Sequence, residues 1–386
     1  MNQRNSKIQH KIVFHTVSLI CVFLTIWSST GNAQTMRTKK SGRQPLAEIT
    51  HPIVIAHRGA SGYLPEHTLA AYSIAILQGA DFIEPDLVMT KDRHLVVRHD
   101  NVLNLTTDVA AHPEFASRKR TKTVDGTAFT GWFSEDFTLA EIKTLRARER
   151  IPQVRPENAK FNGQFEIPTL QEVLDFVKIM EDFTGRAIGI CPEIKHPTYF
   201  DHLNLSMEEP LAQLLRENGY EHHRNRVFIQ SFEVRNLKDL NAITNIPLVQ
   251  LLKPRGQPYD VQEAGGTLTY AQMATPEGLA EIATYADGVA PEKYHFLIPK
   301  ERDDNLFPAN TTQFVREAQA RGLQVHPYTF RAENAFLPAN FKRGSNALAI
   351  GDAVAEMKTF LRAGINGFFT DHPNMGVQAR DNVLGK

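Results

Sequence analysis

Cysteine is nearly absent from this chain of 386 residues, which contains only Cys21 and Cys191. Cys21 lies in an apolar N-terminal segment that we expect to be removed, so a single cysteine would remain and no disulfide could form within the mature chain. The stability of the fold must therefore come from core packing. Cys191 ends the apolar run 187–191, which predicts a buried structural thiol and not a nucleophile.

A net charge is absent as well, because 43 basic residues balance 43 acidic ones. No global field therefore favours nucleic acid or an anionic membrane surface, and recognition of a phosphate would have to depend on local charge. Glycine-rich phosphate loops of Walker or Rossmann spacing are also missing, and no His-x-His zinc pair follows the first predicted strand. The composition, 42% hydrophobic and 22% charged, is that of a globular protein with a large core.

Long hydrophobic runs are limited to one stretch near the N-terminus, residues 12–27. Three basic residues precede this stretch, and small or polar residues follow it up to Gln34. The run is short for a bilayer span of about 20 residues, so we predict a signal peptide over 1–33 and not a transmembrane anchor. The chain is then exported, without stable membrane insertion after cleavage. A lipoprotein is disfavoured because Ile20 precedes Cys21.

The rest of the chain is predicted to form a flexible, polar leader over 34–50 and one domain over 51–386. Short apolar runs alternate in this domain with stretches of helical period, which predicts parallel strands and an α/β fold, a (β/α)8 or TIM barrel. Nine runs resemble strands where a barrel needs eight, and the turn 91–94 suggests that 82–98 contains a hairpin. The polar stretch 101–167 has one helical piece, 138–146, and is predicted to be an insertion on the catalytic face.

Carboxylates cluster at the predicted strand ends. Glu84 and Asp86 are two residues apart on one strand, so their side chains point to the same face, and Glu193 would approach from another strand end. Three carboxylates about 4 Å apart would repel one another by several kcal/mol per pair at an effective dielectric near 20. A divalent cation would relieve this repulsion, and oxygen ligands favour Mg²⁺ or Ca²⁺ over Zn²⁺. The alternative is a structural ion-pair network in which Arg58 and Lys195 neutralise the acids.

Two histidines, His57 and His99, also follow apolar strands and are predicted to meet at the same rim. An unperturbed imidazole titrates near pH 6.5, so one ring could accept a proton while the other donates one. A structural role is the alternative for either ring. Arg58, next to the first histidine, could bind a phosphate oxygen. Gln230 is a further polar residue on a predicted strand.

These residues resemble the glycerophosphodiester phosphodiesterase family, and specifically its periplasmic bacterial type. The matching segments follow the family order across nearly the whole predicted domain. They are His57-Arg58-Gly59, Pro65-Glu66-His67-Thr68, Glu84-Pro85-Asp86, His99-Asp100, Pro192-Glu193-Ile194-Lys195, His326-Pro327-Tyr328-Thr329 and Phe369-Thr370-Asp371.

The resemblance implies a metal-dependent hydrolase that converts glycerophosphodiesters to sn-glycerol 3-phosphate and an alcohol. It implies that Glu84, Asp86 and Glu193 bind a divalent metal, Ca²⁺ before Mg²⁺, and that His57 and His99 are the acid-base pair. We favour His57 as the base and His99 as the acid, with the reversed roles as the alternative. Arg58, Lys195 and Gln230 are then expected to bind substrate or phosphate. Pro85 stands where other members commonly have another residue. The alternatives are a phospholipase acting on lyso-phospholipids and a non-catalytic exported binding protein.

Overall fold

The computed structural model describes residues 50–386. The predicted signal peptide and, except for Thr50, the predicted leader lie outside the described residues. Within the described part, no helix combines the length and the apolarity that a bilayer crossing would need. Its strands are β1 (Ile53–His57), β2 (Phe82–Glu84), β3 (Asp86–Met89), β4 (Leu95–Val97), β5 (Arg120–Val124), β6 (Thr127–Gly131), β7 (Gly189–Ile190), β8 (Glu193–Ile194), β9 (Ile229–Ser231), β10 (Leu248–Leu252), β11 (Gly288–Pro291), β12 (Gln324–Val325) and β13 (Gly367–Thr370).

Helices follow most of these strands. They are α1 (Leu69–Leu77), α2 (Leu139–Ile142), α3 (Pro156–Ala159), α4 (Leu170–Thr184), α5 (Pro197–His202), α6 (Glu208–Glu217), α7 (Val234–Ile243), α8 (Tyr259–Glu263), α9 (Tyr270–Met273), α10 (Pro276–Ile282), α11 (Lys293–Phe296), α12 (Phe314–Gln319), α13 (Ala353–Arg362) and α14 (Pro373–Leu384).

Eight parallel strand positions close into a barrel. In order around it they are β1, β2 with β3, β7 with β8, β9, β10, β11, β12 and β13, and β13 pairs again with β1. Between β12 and β13 the Asn366 N–H donates to the Val325 carbonyl at 3.0 Å, and the Phe369 N–H donates to the Pro327 carbonyl at 3.1 Å. The predicted (β/α)8 fold is confirmed.

The ninth predicted strand is the return arm of a hairpin. β4 pairs antiparallel with β3, so that Met89 faces Leu95 and Leu87 faces Val97. It lies outside the parallel ring, which confirms that 82–98 contains a hairpin.

Two barrel strands are interrupted by prolines beside the predicted carboxylates. Proline has no N–H to donate, so regular pairing stops at Pro85, between β2 and β3, and at Pro192, between β7 and β8. The carbonyl groups still pair, since the Glu193 N–H donates to the Pro85 carbonyl at 3.0 Å and the Gln230 N–H donates to the Pro192 carbonyl at 2.9 Å. The barrel thus stays closed although the regular hydrogen bonding of these two strands is interrupted near its mouth.

Side chains alternate between two cores. On β1, Ile53 and Ile55 point into the barrel, where they pack with Phe82, Phe228 and Phe369. Val54 and Ala56 point outward into the larger core between strands and helices. Cys191 is fully buried in the inner core, as predicted. Because side chains fill the barrel interior, the space for a substrate lies at the mouth.

The insertion after β4 contains turns, the β5–β6 hairpin, α2 and α3. The predicted helical piece is shorter than expected and is confined to α2, which begins at a capping box between Thr138 and Glu141. The hairpin was not predicted. Its turn is Asp125-Gly126, with φ values of 46° and 74°, the residue pair that a type I′ turn prefers.

Candidate active site

The predicted site residues meet at the C-terminal ends of the barrel strands. His57 ends β1, Glu84 ends β2, Asp86 begins β3, and Glu193 lies on β8. A cavity of about 340 Å³ opens there. Its walls include His57, Arg58, Glu84, His99, Glu193, Lys195 and Gln230, together with aromatic side chains such as Phe232 and Tyr328. Asp86 is the one predicted residue behind the wall, and only 1% of its surface is exposed.

The three carboxylates converge as their spacing predicts. One oxygen each from Glu84, Asp86 and Glu193 lies within 4.8 Å of the others. Asp86 Oδ2 is hydrogen-bonded to His67 Nε2 at 2.8 Å, whereas the buried Oδ1 atom has no hydrogen-bond partner. A buried acceptor without a donor, facing two further carboxylates, fits a divalent cation with oxygen ligands.

The neighbouring cations compensate this cluster only in part. Lys195 Nζ lies 2.6 Å from Glu193 Oε1 but 4.0 Å from Asp86 Oδ1, and Arg58 Nε lies 3.4 Å from Asp86 Oδ2. Glu84 accepts hydrogen bonds from the Arg58 N–H at 2.8 Å and from the Gln230 amide at 3.2 Å. Burial, with the nearby acids, still raises the pKa of Glu84 well above its usual value and that of Glu193 to about 7. Arg58 and Lys195 therefore do form ion pairs with the acids, as the alternative expected. These pairs do not fully compensate the three carboxylates, and a divalent cation could balance the remaining negative charge.

His57 is held by an aspartate that the sequence reasoning gave no role. Its Nδ1 lies 2.6 Å from Asp371 Oδ1. Asp371 Oδ2 in turn accepts from Arg155 Nη2 at 2.6 Å and from Arg331 Nε at 3.0 Å. Burial alone would raise the pKa of Asp371, but Arg331 and Arg155 outweigh burial and hold the pKa well below its usual range. The aspartate stays ionised, so His57 Nδ1 is the protonated nitrogen and Nε2 the basic one.

His99 has a similar partner. Its Nδ1 lies 2.8 Å from Asp100 Oδ1, and Asp100 Oδ2 forms an ion pair with Arg150 Nη1 at 2.7 Å. Burial and the positive charge of Arg58 lower the pKa of His57 to about 4 and that of His99 to about 3. Both rings are therefore neutral at pH 7 before an anionic substrate binds. The Nε2 atom of His57 accepts a hydrogen bond from Arg58 Nε at 3.2 Å, which agrees with an unprotonated Nε2.

A second, smaller cavity lies on the other side of His57 and Arg58. It measures about 180 Å³ and is lined in part by Arg150 and Arg155 from the insertion. The insertion thus reaches the mouth of the barrel, where 101–167 was expected to lie. Asp100 and Asp371 follow strand ends just as the histidines do, so the same reasoning could have found them. Nothing in the sequence around the two arginines pointed to the site.

This geometry agrees with what comparison with known proteins shows. Residues 57–375 match the family model described as the glycerophosphoryl diester phosphodiesterase family. The chain belongs to this family. The matched range runs from His57 to beyond Asp371, and therefore contains every site residue described above.

Curated relatives place the chain among the glycerophosphodiester phosphodiesterases. Over 346 residues it is 36% identical to the Arabidopsis thaliana glycerophosphodiester phosphodiesterase GDPD6, covering 86% of this chain and 87% of that protein. The Haemophilus influenzae glycerophosphodiester phosphodiesterase is 34% identical over 346 residues, covering 84% of this chain and 89% of its own length. The predicted enzyme class is confirmed.

Solved structures share the fold. A putative glycerophosphoryl diester phosphodiesterase from Silicibacter pomeroyi aligns with a TM-score of 0.58 at 19% identity, covering 87% of this chain and 95% of its own. An Oleispira antarctica phosphodiesterase in complex with the product sn-glycerol-3-phosphate aligns with a TM-score of 0.51 at 19% identity, covering 86% and 97%.

Proposed function

We propose that this chain hydrolyses glycerophosphodiesters to sn-glycerol 3-phosphate and an alcohol, with His57 and His99 as the acid-base pair and a divalent cation at Glu84, Asp86 and Glu193. The supporting observation is that both aspartate-held histidines line a single cavity together with Glu84 and Glu193, and that Asp86 completes the carboxylate cluster behind the wall. Family membership favours this activity over a phospholipase or a non-catalytic binding protein.

The charged side chains and the neutral imidazoles are proposed to have different roles. Arg58 and Lys195 line the cavity and would bind the anionic phosphate oxygens of the diester. One imidazole would accept a proton at Nε2 from the attacking oxygen, which belongs to water or to the glycerol 2-hydroxyl; in the second case a cyclic phosphate forms and water then opens it. The other ring, neutral in the free protein, would take up a proton from solvent at Nε2 when the anionic diester binds, and would donate that proton to the leaving alcohol. When bound, the divalent cation supplies positive charge against the charge that develops on the phosphate oxygens. Gln230 holds Glu84 in place and can reach substrate from the cavity wall.

Ca²⁺ is the cation we propose in preference to Mg²⁺. Ca²⁺ accepts varied oxygen geometries, whereas Mg²⁺ requires near-ideal octahedral geometry and retains waters. Unfolding temperatures measured with each ion test this without reference to activity. Ca²⁺ at 100 times its Kd should stabilise the fold by about 2.7 kcal/mol. Asp86→Asn should abolish the shift, while Asp175→Asn, at an exposed acid on α4, should preserve it. An equal or larger shift with Mg²⁺ would contradict the choice of ion.

Export to a periplasm is also part of the proposal. It is supported by the basic residues, the apolar run and the small residues of the first 33 positions. N-terminal sequencing of the protein secreted by its own cells, expected to begin at Gln34, tests the predicted cleavage.

Product release tests the activity directly. The purified protein is expected to release sn-glycerol 3-phosphate from glycerophosphocholine, to lose this activity in EDTA and to regain it with Ca²⁺. Lyso-phosphatidylcholine should give no product. A folded protein that releases nothing from several glycerophosphodiesters, with either metal, would refute the proposal.

A further inference from the structure

Each of the two histidines is the first member of a chain of three side chains that ends in the insertion. His57 contacts Asp371 at 2.6 Å, and Asp371 contacts Arg155 at 2.6 Å. His99 contacts Asp100 at 2.8 Å, and Asp100 contacts Arg150 at 2.7 Å. The histidines and aspartates belong to the barrel and its loops, whereas both arginines come from one short segment, 148–155, between α2 and α3.

The other contacts of these arginines fix them in place. Arg150 donates twice to Glu66, at 2.6 and 2.8 Å, and Glu66 also accepts from Arg58 Nη1 at 3.1 Å. Arg155 donates to Glu333 at 2.5 Å and to the Ser61 carbonyl at 2.9 Å. Only 7% of Arg155 is exposed, so its guanidinium cannot leave Asp371 without abandoning buried partners.

We propose that Arg150 and Arg155 are positioning residues through which the insertion orients the two catalytic histidines, Arg150 acting through Asp100 on His99 and Arg155 acting through Asp371 on His57. The kinetic part of this inference rests on the proposed function. The structural part, that each arginine helps to orient one imidazole, does not depend on the proposed function.

The physical basis is the fork of the guanidinium group. A planar guanidinium can hold two carboxylates at fixed angles, which the single charge of a lysine cannot do. With the arginine in place, the aspartate is ionised and oriented, so the imidazole Nδ1–H has a fixed acceptor. Without it, Asp100 loses its arginine and Asp371 keeps only Arg331, so each ring is held less firmly. Geometry matters at this point because a shift of about 1 Å can cost roughly 100-fold in rate.

The first experiment compares Arg150→Met and Arg155→Met with a matched control, Arg118→Met. Arg118 also belongs to the insertion and contacts Glu141 at 2.5 Å, but its partners lie within the insertion and away from both cavities. We expect kcat on glycerophosphocholine to fall about 10- to 100-fold in the first two variants, with KM changed less than about threefold. Arg118→Met should keep the kcat of the unmodified protein.

Double-mutant cycles test the route of action. If Arg150 acts through Asp100, the loss of kcat in Asp100→Asn should not deepen further when Arg150→Met is added, and the same should hold for Asp371→Asn with Arg155→Met. Multiplying losses in both cycles would overturn the proposed route. If Arg155→Met does not fold, Arg155→Lys replaces it, because it keeps the charge, loses the fork and should show an intermediate kcat.

A spectroscopic readout separates this inference from the proposed function. In protein labelled with ¹⁵N-histidine, Arg150→Met should move the imidazole signals of His99 more than those of His57, because Arg150 reaches His57 only through Glu66 and Arg58. Arg155→Met should move the signals of His57 and leave those of His99. Arg118→Met should move neither. Unchanged histidine signals and kcat in both folded arginine variants would overturn positioning, while the unmodified enzyme remains active. An inactive unmodified protein whose histidine signals respond as expected would refute the proposed function alone.

Discussion

At the residue scale, the site combines buried acids and bases whose usual ionisation is opposed by burial. Burial lowers the pKa of both histidines and raises that of Glu193 to about 7, while Asp371 and Asp100 remain ionised beside arginines. Perturbed groups of both kinds around one cavity are typical of catalytic sites. Each histidine thus has its own aspartate, and each aspartate is paired with an arginine of the insertion.

Loss of either imidazole should nearly abolish turnover. We expect His57→Ala and His99→Ala each to lower kcat by about 10²- to 10⁴-fold, the usual contribution of a general acid or base. Both rings are partly exposed at the cavity, so the far-ultraviolet circular dichroism spectrum should not change. His222→Ala is the control, because His222 is exposed in the turn before β9. A folded His57→Ala or His99→Ala enzyme with full kcat would contradict the acid-base assignment.

The sequence predicts the residues that line the site better than the arginines that hold them in position. Glu84, Asp86, Glu193 and both histidines end or begin apolar runs, and such positions in a parallel barrel share one rim. Arg150 and Arg155 have no comparable signal, since they lie in an irregular segment and meet carboxylates 84 and 216 positions away in the chain. Contacts between a loop and distant strand ends depend on tertiary packing, which periodicity does not report.

At the element scale, the turn after β1 passes close to α1, and the Ala60 N–H donates to the Ala71 carbonyl at 2.9 Å. Gly59 makes this possible with a φ of 88°, and a Cβ at this position would lie 2.8 Å from the Ala71 carbonyl carbon. Only glycine avoids both the left-handed strain and the clash. The predicted strand and helix, 53–56 and 68–78, agree closely with β1 and α1 because apolar period and the Thr68 cap define them.

Gly59→Ala should therefore be more destabilising than an ordinary glycine replacement. Gly163 has a similar φ of 81°, and a Cβ added there would have no atom within 4 Å, so Gly163→Ala isolates the backbone strain, about 1 to 2 kcal/mol. The clash at Gly59 should add about 1 to 3 kcal/mol. Urea unfolding of both variants measures the difference, and equal losses would show that Ala71 and α1 move aside without cost.

Helix α5 is attached to the loop before α7 by a buried acid, Glu233. The carboxylate accepts hydrogen bonds from the backbone N–H of Thr198 at 3.3 Å and from its hydroxyl. Burial raises the pKa of Glu233 to about 8; the hydrogen bond from Thr198 opposes this rise, and the acids Asp260 and Asp125 add to it.

This raised pKa predicts a pH-dependent stability. Between pH 4.5, the ordinary value, and about 8, Glu233 holds a proton in the folded state that the unfolded chain has released. Stability should therefore decline as pH rises through this window, by up to about 1.4 kcal/mol per pH unit from this group. Glu233→Gln should flatten the decline measured by urea unfolding at pH 5 to 8. Glu277→Gln, at an exposed position on α10, should leave it unchanged, and an unchanged slope in Glu233→Gln would contradict the assignment.

At the scale of the whole molecule, the insertion and the barrel share one hydrophobic core. Insertion residues such as Phe115, Trp132 and Phe137 belong to the same buried cluster as Val54 and Ala56 of β1. The α2 end of the insertion also packs back towards the hairpin, where the Lys91 N–H donates to the Phe137 carbonyl at 2.8 Å. From this packing we propose that 51–386 is a single domain and that 101–167 is not a separate one.

A shared core predicts that the insertion and the barrel unfold together. The sequence contains two tryptophans, Trp27 and Trp132. Trp27 lies in the predicted signal peptide, and Trp27→Phe also removes it from any uncleaved protein, so Trp132 is the fluorescence reporter within the insertion. Far-ultraviolet circular dichroism reports chiefly on the barrel helices. We expect the urea transitions of the two signals in Trp27→Phe to coincide, since coincident probes are the mark of one cooperative unit. A fluorescence transition at clearly lower urea would show that the insertion opens first. In that case the contacts of Arg150 with Asp100 and of Arg155 with Asp371 would break before the barrel unfolds. Enzyme activity should then disappear at the urea concentration of the fluorescence transition and not at that of the circular dichroism transition.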